Sequence, residues 1–68
     1  MINTNKIKGR MKELELTQKD VGKTLGIATA TVSQKLNNIR PMDLVEAEKL
    51  ANVLKIEDNE FKSYFFIQ

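Results

Sequence analysis

The sequence predicts an all-α fold built from five short helices. Apolar residues recur three, four and seven positions apart along much of the chain, which is the spacing of one helix face. Gly26 and Asn38 interrupt this pattern where helices would end, because both residue types tolerate the left-handed conformation that often follows a last helical turn. Thr17 stands where the pattern resumes and can cap the next helix.

Length and composition restrict the class of protein. The chain has 68 residues, enough for one hydrophobic core, so we expect a single domain over residues 1–68. It contains no cysteine and no histidine, which removes the usual zinc ligands and the commonest general base. We therefore expect no metal site, no cofactor, no small-molecule ligand and no enzyme activity. No apolar run approaches the roughly 20 residues that span a bilayer, and the start lacks the layout of a signal peptide, so we expect a cytoplasmic protein.

Charge is unevenly distributed along the chain. The formal net charge is +2, but residues 1–40 hold eight Lys and Arg against three Asp and Glu, whereas residues 41–68 hold three against six. Such asymmetry can orient a small protein on a polyanion. Ordinary variation of a protein surface is the alternative explanation.

The first helix is predicted around Ile7, Met11 and Leu14, which share one face. Asn3 or Thr4 can cap its start. Lysine and arginine are distributed around the remainder of this helix. They are most simply a solvated surface, with contact to phosphate as the alternative.

The second helix is predicted to begin near Gln18. Thr17, followed three residues later by Asp20, has the pattern of a capping box. Gly22 leaves no side chain at a position where another helix would cross closely. Gly26 ends the helix, because only glycine takes a positive φ there without steric cost.

The third helix is predicted over residues 29–37, after a turn in which Ile27 fills the angle between the two helices. Its packed stripe is predicted to contain Ala28, Val32 and Leu36, which are spaced four residues apart.

The opposite face of the third helix has an unusual composition. In a chain that is 29% charged, the sixteen residues 24–39 contain a single charge, Lys35. A solvated helix normally carries Lys and Glu, which favour helix more than Ser, Thr or Asn. Small uncharged donors and acceptors suit the edges of DNA bases instead. This face therefore indicates DNA recognition.

Two further helices complete the predicted bundle. Asp43 and Glu46 suit the positive end of the fourth helix dipole. The inner face of that helix is predicted to contain Leu44, Ala47, Leu50, Ala51 and Leu54. The acidic residues 57–60 begin a fifth helix, in which Phe61 and Phe65 are predicted to join the core.

The chain resembles the phage repressor and Cro family of helix-turn-helix proteins, whose lambda-repressor-like domain is a compact five-helix bundle. The resemblance is carried by residues 16–21 (LTQKDV), 25–27 (LGI), 32–37 (VSQKLN) and 50–56 (LANVLKI). It extends from about Ile7 to Phe61. Because no separate dimerisation or self-cleavage domain follows, the chain looks most similar to a stand-alone Cro protein of a bacterial host cell. It departs from the family pattern at Lys35, where many relatives are apolar, and at Asn38, where glycine is frequent.

The resemblance implies that the third helix lies in the major groove of double-stranded DNA. The residues expected to face bases are Thr29, Ala30, Ser33 and Gln34. Gln34 is the foremost of these, because its amide can donate to and accept from adenine. The residues expected to contact the sugar-phosphate backbone are Thr17, Gln18, Lys23, Lys35, Asn37, Asn38 and Arg40. For the lysines, an ordinary solvated surface remains the alternative.

One such helix contacts too few base pairs for discrimination, so we expect a homodimer, at least on DNA, that regulates transcription from a pseudo-palindromic operator. Phe66 and Ile67 are candidate dimer contacts, because they do not share the helical face of Phe61 and Phe65. A final segment that folds back onto the bundle is the alternative.

The competing function is a helical protein-binding module, such as an antirepressor or an antitoxin. The aromatic end of the chain favours that module, whereas the polar face of the third helix favours DNA.

Overall fold

The computed structural model describes residues 1–66, and this part of the chain contains five α-helices and no strand. The helices are α1 (Thr4–Glu13), α2 (Gln18–Leu25), α3 (Thr29–Leu36), α4 (Leu44–Val53) and α5 (Asp58–Phe65). The prediction of an all-α fold with five helices is confirmed. Within residues 1–66, no helix is both long and apolar enough to cross a membrane.

Side-chain caps determine where three of the helices begin. Asn3 caps α1 by accepting a hydrogen bond from the backbone N–H of Lys6. The predicted capping box between Thr17 and Asp20 is present at the start of α2. A second capping box, between Asp43 and Glu46, begins α4. Each box pairs backbone N–H groups that the first helical turn leaves without a partner.

Left-handed residues follow four of the helices. Gly26 ends α2 with φ 73°, as predicted, and Asn38 follows α3 with φ 60°. Glu15 and Lys55 take the same conformation after α1 and α4, with φ 57° and 55°. The sequence did not indicate these last two, because Glu and Lys carry no preference for positive φ. In the three non-glycine cases the next residue donates its N–H to a carbonyl in the last turn: Leu16 to Met11, Ile39 to Gln34, and Ile56 to Ala51.

The buried apolar side chains form one cluster to which all five helices contribute. They are Ile2, Ile7, Met11, Val21, Leu25, Val32, Leu36, Ala47, Leu50, Ala51, Leu54, Tyr64 and Phe65. Phe61 and Ile27 are partly buried against this cluster. Ile2 was not predicted to be core. It reaches the cluster because the backbone N–H of Asn3 donates to the carbonyl of Tyr64 at 2.8 Å, which holds the amino-terminal segment against α5.

Two residues that were predicted to face the core are exposed instead. Ala28 precedes α3 in an extended conformation, so it does not continue the stripe of Val32 and Leu36. Leu44 is the first residue of α4 and is 59% exposed. The buried stripe of α4 begins one turn later, at Ala47.

Gly22 allows α2 to lie close to the segment that follows it. A Cβ atom at this position would lie 2.8 Å from the carbonyl oxygen of Ile27 and 3.5 Å from a methyl carbon of Val32. The first distance is too short for non-bonded atoms, and the carbonyl belongs to the backbone of the turn. The predicted role of Gly22 in close packing is confirmed, and its neighbours are the turn and α3.

We predict opposite effects on stability from alanine at two helical glycines. Gly22→Ala should lower the free energy of unfolding by about 1–3 kcal/mol, because the added methyl group displaces the α2–α3 turn. Gly9→Ala should raise it by about 0.5–1 kcal/mol, because nothing lies within 4 Å of the new Cβ and alanine favours helix. Urea denaturation measures both changes. An increase in both variants would show that the approach at Gly22 is not tight.

Candidate nucleic-acid interface

The outer side of α3 carries exposed hydrogen-bonding groups. Val32 and Leu36 are fully buried and turn one side of this eight-residue helix inward. Thr29, Ala30 and Gln34 are exposed on the rest of the helix. Within residues 1–66 the Gln34 side-chain amide makes no hydrogen bond, so both its donor and its acceptor are available to a ligand.

Ser33 belongs to the same face but is less accessible. It is half-buried, and its hydroxyl lies 3.5 Å from the side-chain nitrogen of Asn37. Its backbone carbonyl accepts a hydrogen bond from that nitrogen at 2.8 Å. Ser33 thus lies beside the exposed groups, in contact with the end of its own helix.

The start of α2 is organised by its capping box. The hydroxyl of Thr17 accepts from the backbone N–H of Asp20 at 3.1 Å and donates to the Asp20 carboxylate at 2.9 Å. The hydrogen bond from the Thr17 backbone N–H, and secondly the one from its hydroxyl, hold the pKa of Asp20 below its ordinary value. The carboxylate is therefore ionised and the box closed at neutral pH. Gln18 follows as the first residue of α2 and is half-exposed.

Lys35 lies in a different environment from the one expected for a phosphate contact. Its ammonium nitrogen is 2.5 Å from both carboxylate oxygens of Glu46, and the two side chains are only 14% and 12% exposed. This pairing neutralises the charge and directs the side chain toward α4. Lys35 was expected to contact phosphate, but its ammonium is already paired within the protein, so we do not include it among the contacts proposed below. In the sequence, Glu46 suits the positive end of the α4 dipole, and neither this position nor its place in a capping box indicates a partner on α3.

Asn38 holds the amino-terminal segment against the end of α3. Its side-chain oxygen accepts from the backbone N–H of Ile2 at 2.9 Å, and its nitrogen donates to the Ile2 carbonyl at 3.0 Å. The nitrogen also lies 3.2 Å from the hydroxyl of Thr4, which in turn donates to the carbonyl of Leu36. The amide that was expected to contact phosphate is thus already engaged within the protein.

Asn37 connects α3 to α1. While its nitrogen bonds to Ser33, its side-chain oxygen accepts from the ammonium of Lys8 at 3.0 Å. Lys8 is an exposed cation, and the sequence does not distinguish it from the other basic residues of its helix. Only the folded chain shows that it reaches the end of α3.

Two other cations lie near the carboxyl ends of α2 and α3. Lys23 is exposed in the last turn of α2, and Arg40 is exposed four residues after the end of α3. In the part of the chain that the structure describes, neither forms an ion pair. In that same part, no cluster of His, Cys, Asp and Glu is arranged to bind a metal ion. Together, the outer side of α3, the start of α2 and these two cations offer hydrogen-bonding groups, methyl groups and positive charge.

The aromatic end of the chain is only partly buried. Phe65 belongs to the core, and its ring stacks on that of Phe61 at 4.7 Å between centroids. Phe66 is 59% exposed and lies against Phe61 at 5.7 Å. Phe61 also lines an open hollow with Leu44, Glu48 and Asp58. Ile67, the second candidate dimer contact, lies outside the described residues.

The segment from α2 to α3 lies within a region that matches a known protein family. A family model described as helix-turn-helix matches residues 7–61, which include all of α2, the turn and α3. No curated protein is significantly similar to the chain.

We predict that the two properties of Asn38 separate in stability measurements. Asn38→Gly keeps the left-handed backbone but removes the amide, so it should lower the free energy of unfolding by about 1–2 kcal/mol through lost hydrogen bonds. Asn38→Ala should be less stable than Asn38→Gly by about a further 1 kcal/mol, because a methyl group disfavours positive φ. Urea denaturation measures both. A glycine variant at least as stable as the original would show that the amide does not secure the amino-terminal segment.

Proposed function

The chain belongs to the helix-turn-helix family of DNA-binding regulatory domains, of the repressor and Cro type, and we propose that it reads operator half-sites with the outer face of α3. The observation that carries this proposal is the uncharged, exposed face of α3 opposite its buried stripe. A helix inserted into the major groove needs such groups, because each base pair presents its own pattern of donors, acceptors and methyl groups there. A Cro-type role in a bacterial host cell stays a prediction.

In the proposed complex, four residues face the bases: Thr29, Ala30, Ser33 and Gln34. Gln34 bonds to adenine through both ends of its free amide, and the methyl groups of Thr29 and Ala30 contact thymine. Ser33 contributes less than Gln34 because it is half-buried.

Contacts to the sugar-phosphate backbone orient the protein and carry no sequence information directly. We assign them to Thr17, Gln18, Lys23, Asn37, Asn38 and Arg40. Lys23 and Arg40 supply the charge. Thr17, Asn37 and Asn38 already donate hydrogen bonds within the protein, and phosphate only accepts them, so contact with phosphate requires one of these protons to leave its present acceptor.

We further propose that two copies of the chain, each folded as one domain, bind a pseudo-palindromic operator. A single helix of this kind reads too few base pairs for useful discrimination, and the two half-sites would lie about 34 Å apart. The surface assigned to the second copy is the exposed apolar one formed by Phe66, Phe61 and Leu44, with Ile67 as a further candidate. The same surface would suit the alternative protein-binding module, which would not select a DNA sequence.

We predict that selection from a random duplex library enriches a pseudo-palindrome. Gln34→Ala should cost roughly 1–3 kcal/mol on the selected site and relax the preference at one base position. Arg40→Ala should weaken binding to all sequences alike and make the dependence of log affinity on log salt shallower by about 0.9, the value for one phosphate contact. Asn52→Ala, which removes an exposed amide from α4, is the matched control. Identical behaviour of the Gln34 and Arg40 variants would contradict the assigned roles, and no enrichment would contradict the function.

We predict that Phe66→Ala and Leu44→Ala each weaken self-association about tenfold, because each removes an exposed apolar side chain from the proposed dimer surface. Sedimentation of the operator complex and of the free protein measures the change. Circular dichroism melting is the control, since truncation of an exposed side chain should leave stability nearly unchanged. Unchanged sedimentation and unchanged operator affinity in both variants would remove this surface from the proposal.

A further inference from the structure

We propose that the Lys35–Glu46 ion pair sets the rotation of α3 about its own axis and thereby fixes where Gln34 meets the DNA. Lys35 would then be a positioning residue and not a DNA contact. This inference rests on the proposed function for its consequence in recognition, although the pair itself is a property of the free protein.

The acceptor of this pair, Glu46, is held in place by hydrogen bonds that do not involve Lys35. Glu46 lies in the first turn of α4, where its carboxylate accepts from the backbone N–H of Asp43 at 3.1 Å. Its own backbone N–H donates to the Asp43 carboxylate at 2.7 Å. The next residue, Ala47, is buried in the core. Glu46 is therefore an anchored group, unlike a carboxylate on a mobile surface side chain.

Lys35 lies at a position from which a bond to a neighbouring helix, here called the tether, limits rotation of α3 about its axis. Around the helix axis it lies about 100° from Leu36, which is buried, and about 100° from Gln34, which is exposed. Leu36 and Val32 lie on a single stripe, and packing along one stripe resists separation of the helices more than it resists a small roll. A bond from the flank of α3 to a fixed point on α4 opposes that roll directly.

A small roll is enough to matter for base recognition. With side chains included, a helix has a radius of about 5–6 Å, so a roll of about 10° displaces its outer groups by about 1 Å. Hydrogen bonds of the N–H to oxygen type occupy a range of only about 0.5 Å. Loss of the tether should therefore weaken the contact of Gln34 with its base while phosphate contacts, which tolerate more displacement, persist.

The pairing also explains how the chain accommodates a lysine beside its recognition face. An unpaired ammonium at this position would attract phosphate of any sequence and so favour non-specific binding. Both oxygens of Glu46 lie 2.5 Å from the ammonium, so the charge is compensated within the protein. A paired Lys35 should consequently add nothing to the salt dependence of DNA binding.

The first test measures the free protein and needs no DNA. Residual dipolar couplings of the α3 amides vary periodically along the helix, and the phase of that variation reports rotation about its axis. We expect Lys35→Met and Glu46→Gln to shift the phase by about 10° or to reduce the amplitude through averaging, whereas Lys35→Arg, which retains the pair, should match the original protein. Lys49→Met is the matched control, because it makes the same change at an exposed lysine of α4. Unchanged couplings in Lys35→Met would overturn the inference even if the protein reads DNA as proposed.

The second test uses the selected operator and a duplex with the base pair opposite Gln34 replaced. Lys35→Met should reduce the ratio of the two affinities about fivefold while leaving the salt slope unchanged, and Lys35→Arg should preserve both. The double variant Lys35→Met/Glu46→Gln removes both charges, so it separates lost positioning from an unpaired buried carboxylate. It should lose selectivity as Lys35→Met does, at temperatures where circular dichroism shows each variant folded.

The contradicting result is a change in salt dependence without a change in selectivity. If the slope of log affinity against log salt became shallower by about 0.9 in Lys35→Met while selectivity stayed intact, Lys35 would be a phosphate contact and the inference would be overturned. Failure of the original protein to select any duplex would contradict the proposed function alone, because the couplings still test the tether.

Discussion

The close approach of α2 to the turn and α3 at Gly22 is the constraint on which the rest of the structure depends. Because Gly22 has no side chain, the carbonyl oxygen of Ile27 can lie 2.8 Å from the position that a Cβ atom would occupy. Val32 can then pack beneath α2, and with Leu36 it supplies the inward side of α3. A helix of eight residues is too short to be stable alone, so it depends on this packing. Because one narrow stripe meets the packing requirement, the remaining surface of α3 can carry the exposed polar groups to which we assign DNA recognition.

The far end of α3 is held by polar groups in addition to the buried Leu36. Asn38 bonds to the backbone of Ile2, Asn37 accepts from Lys8, and Lys35 pairs with Glu46. These bonds connect α3 to the amino-terminal segment, to α1 and to α4. Such directional contacts fix orientation in a way that apolar packing does not, since hydrogen bonds weaken steeply with distance and angle. Apolar packing along its stripe therefore holds α3 in place, and these polar bonds near its end set its orientation.

Much of the fold could be predicted from the sequence because it is determined by local signals. The capping box of Thr17 and Asp20, the left-handed Gly26 and the buried stripe of Val32 and Leu36 each depend on residues close in the chain. The errors at Ala28 and Leu44 arose where a helix begins, because helical spacing does not tell which first residue is already inside the helix.

The candidate site was less predictable because its side chains are engaged by residues distant in the sequence. Helical spacing placed Gln34 on the outer face, which the structure shows to be exposed. The same spacing could not show that Lys35 would reach Glu46, or that Ile2 would bond to Asn38. Those partners are 11 and 36 residues apart, and only the packing of α3 beside α4 and the amino-terminal segment brings them together.

The measurement that tests the central claim most directly is the set of intermolecular nuclear Overhauser effects in the protein bound to its selected duplex. The account predicts contacts between major-groove base protons and the side chains of Thr29, Ala30 and Gln34. Base-proton contacts from α4 or α5 with none from α3 would contradict it, because the face left free by the packing at Gly22 would then have no part in recognition.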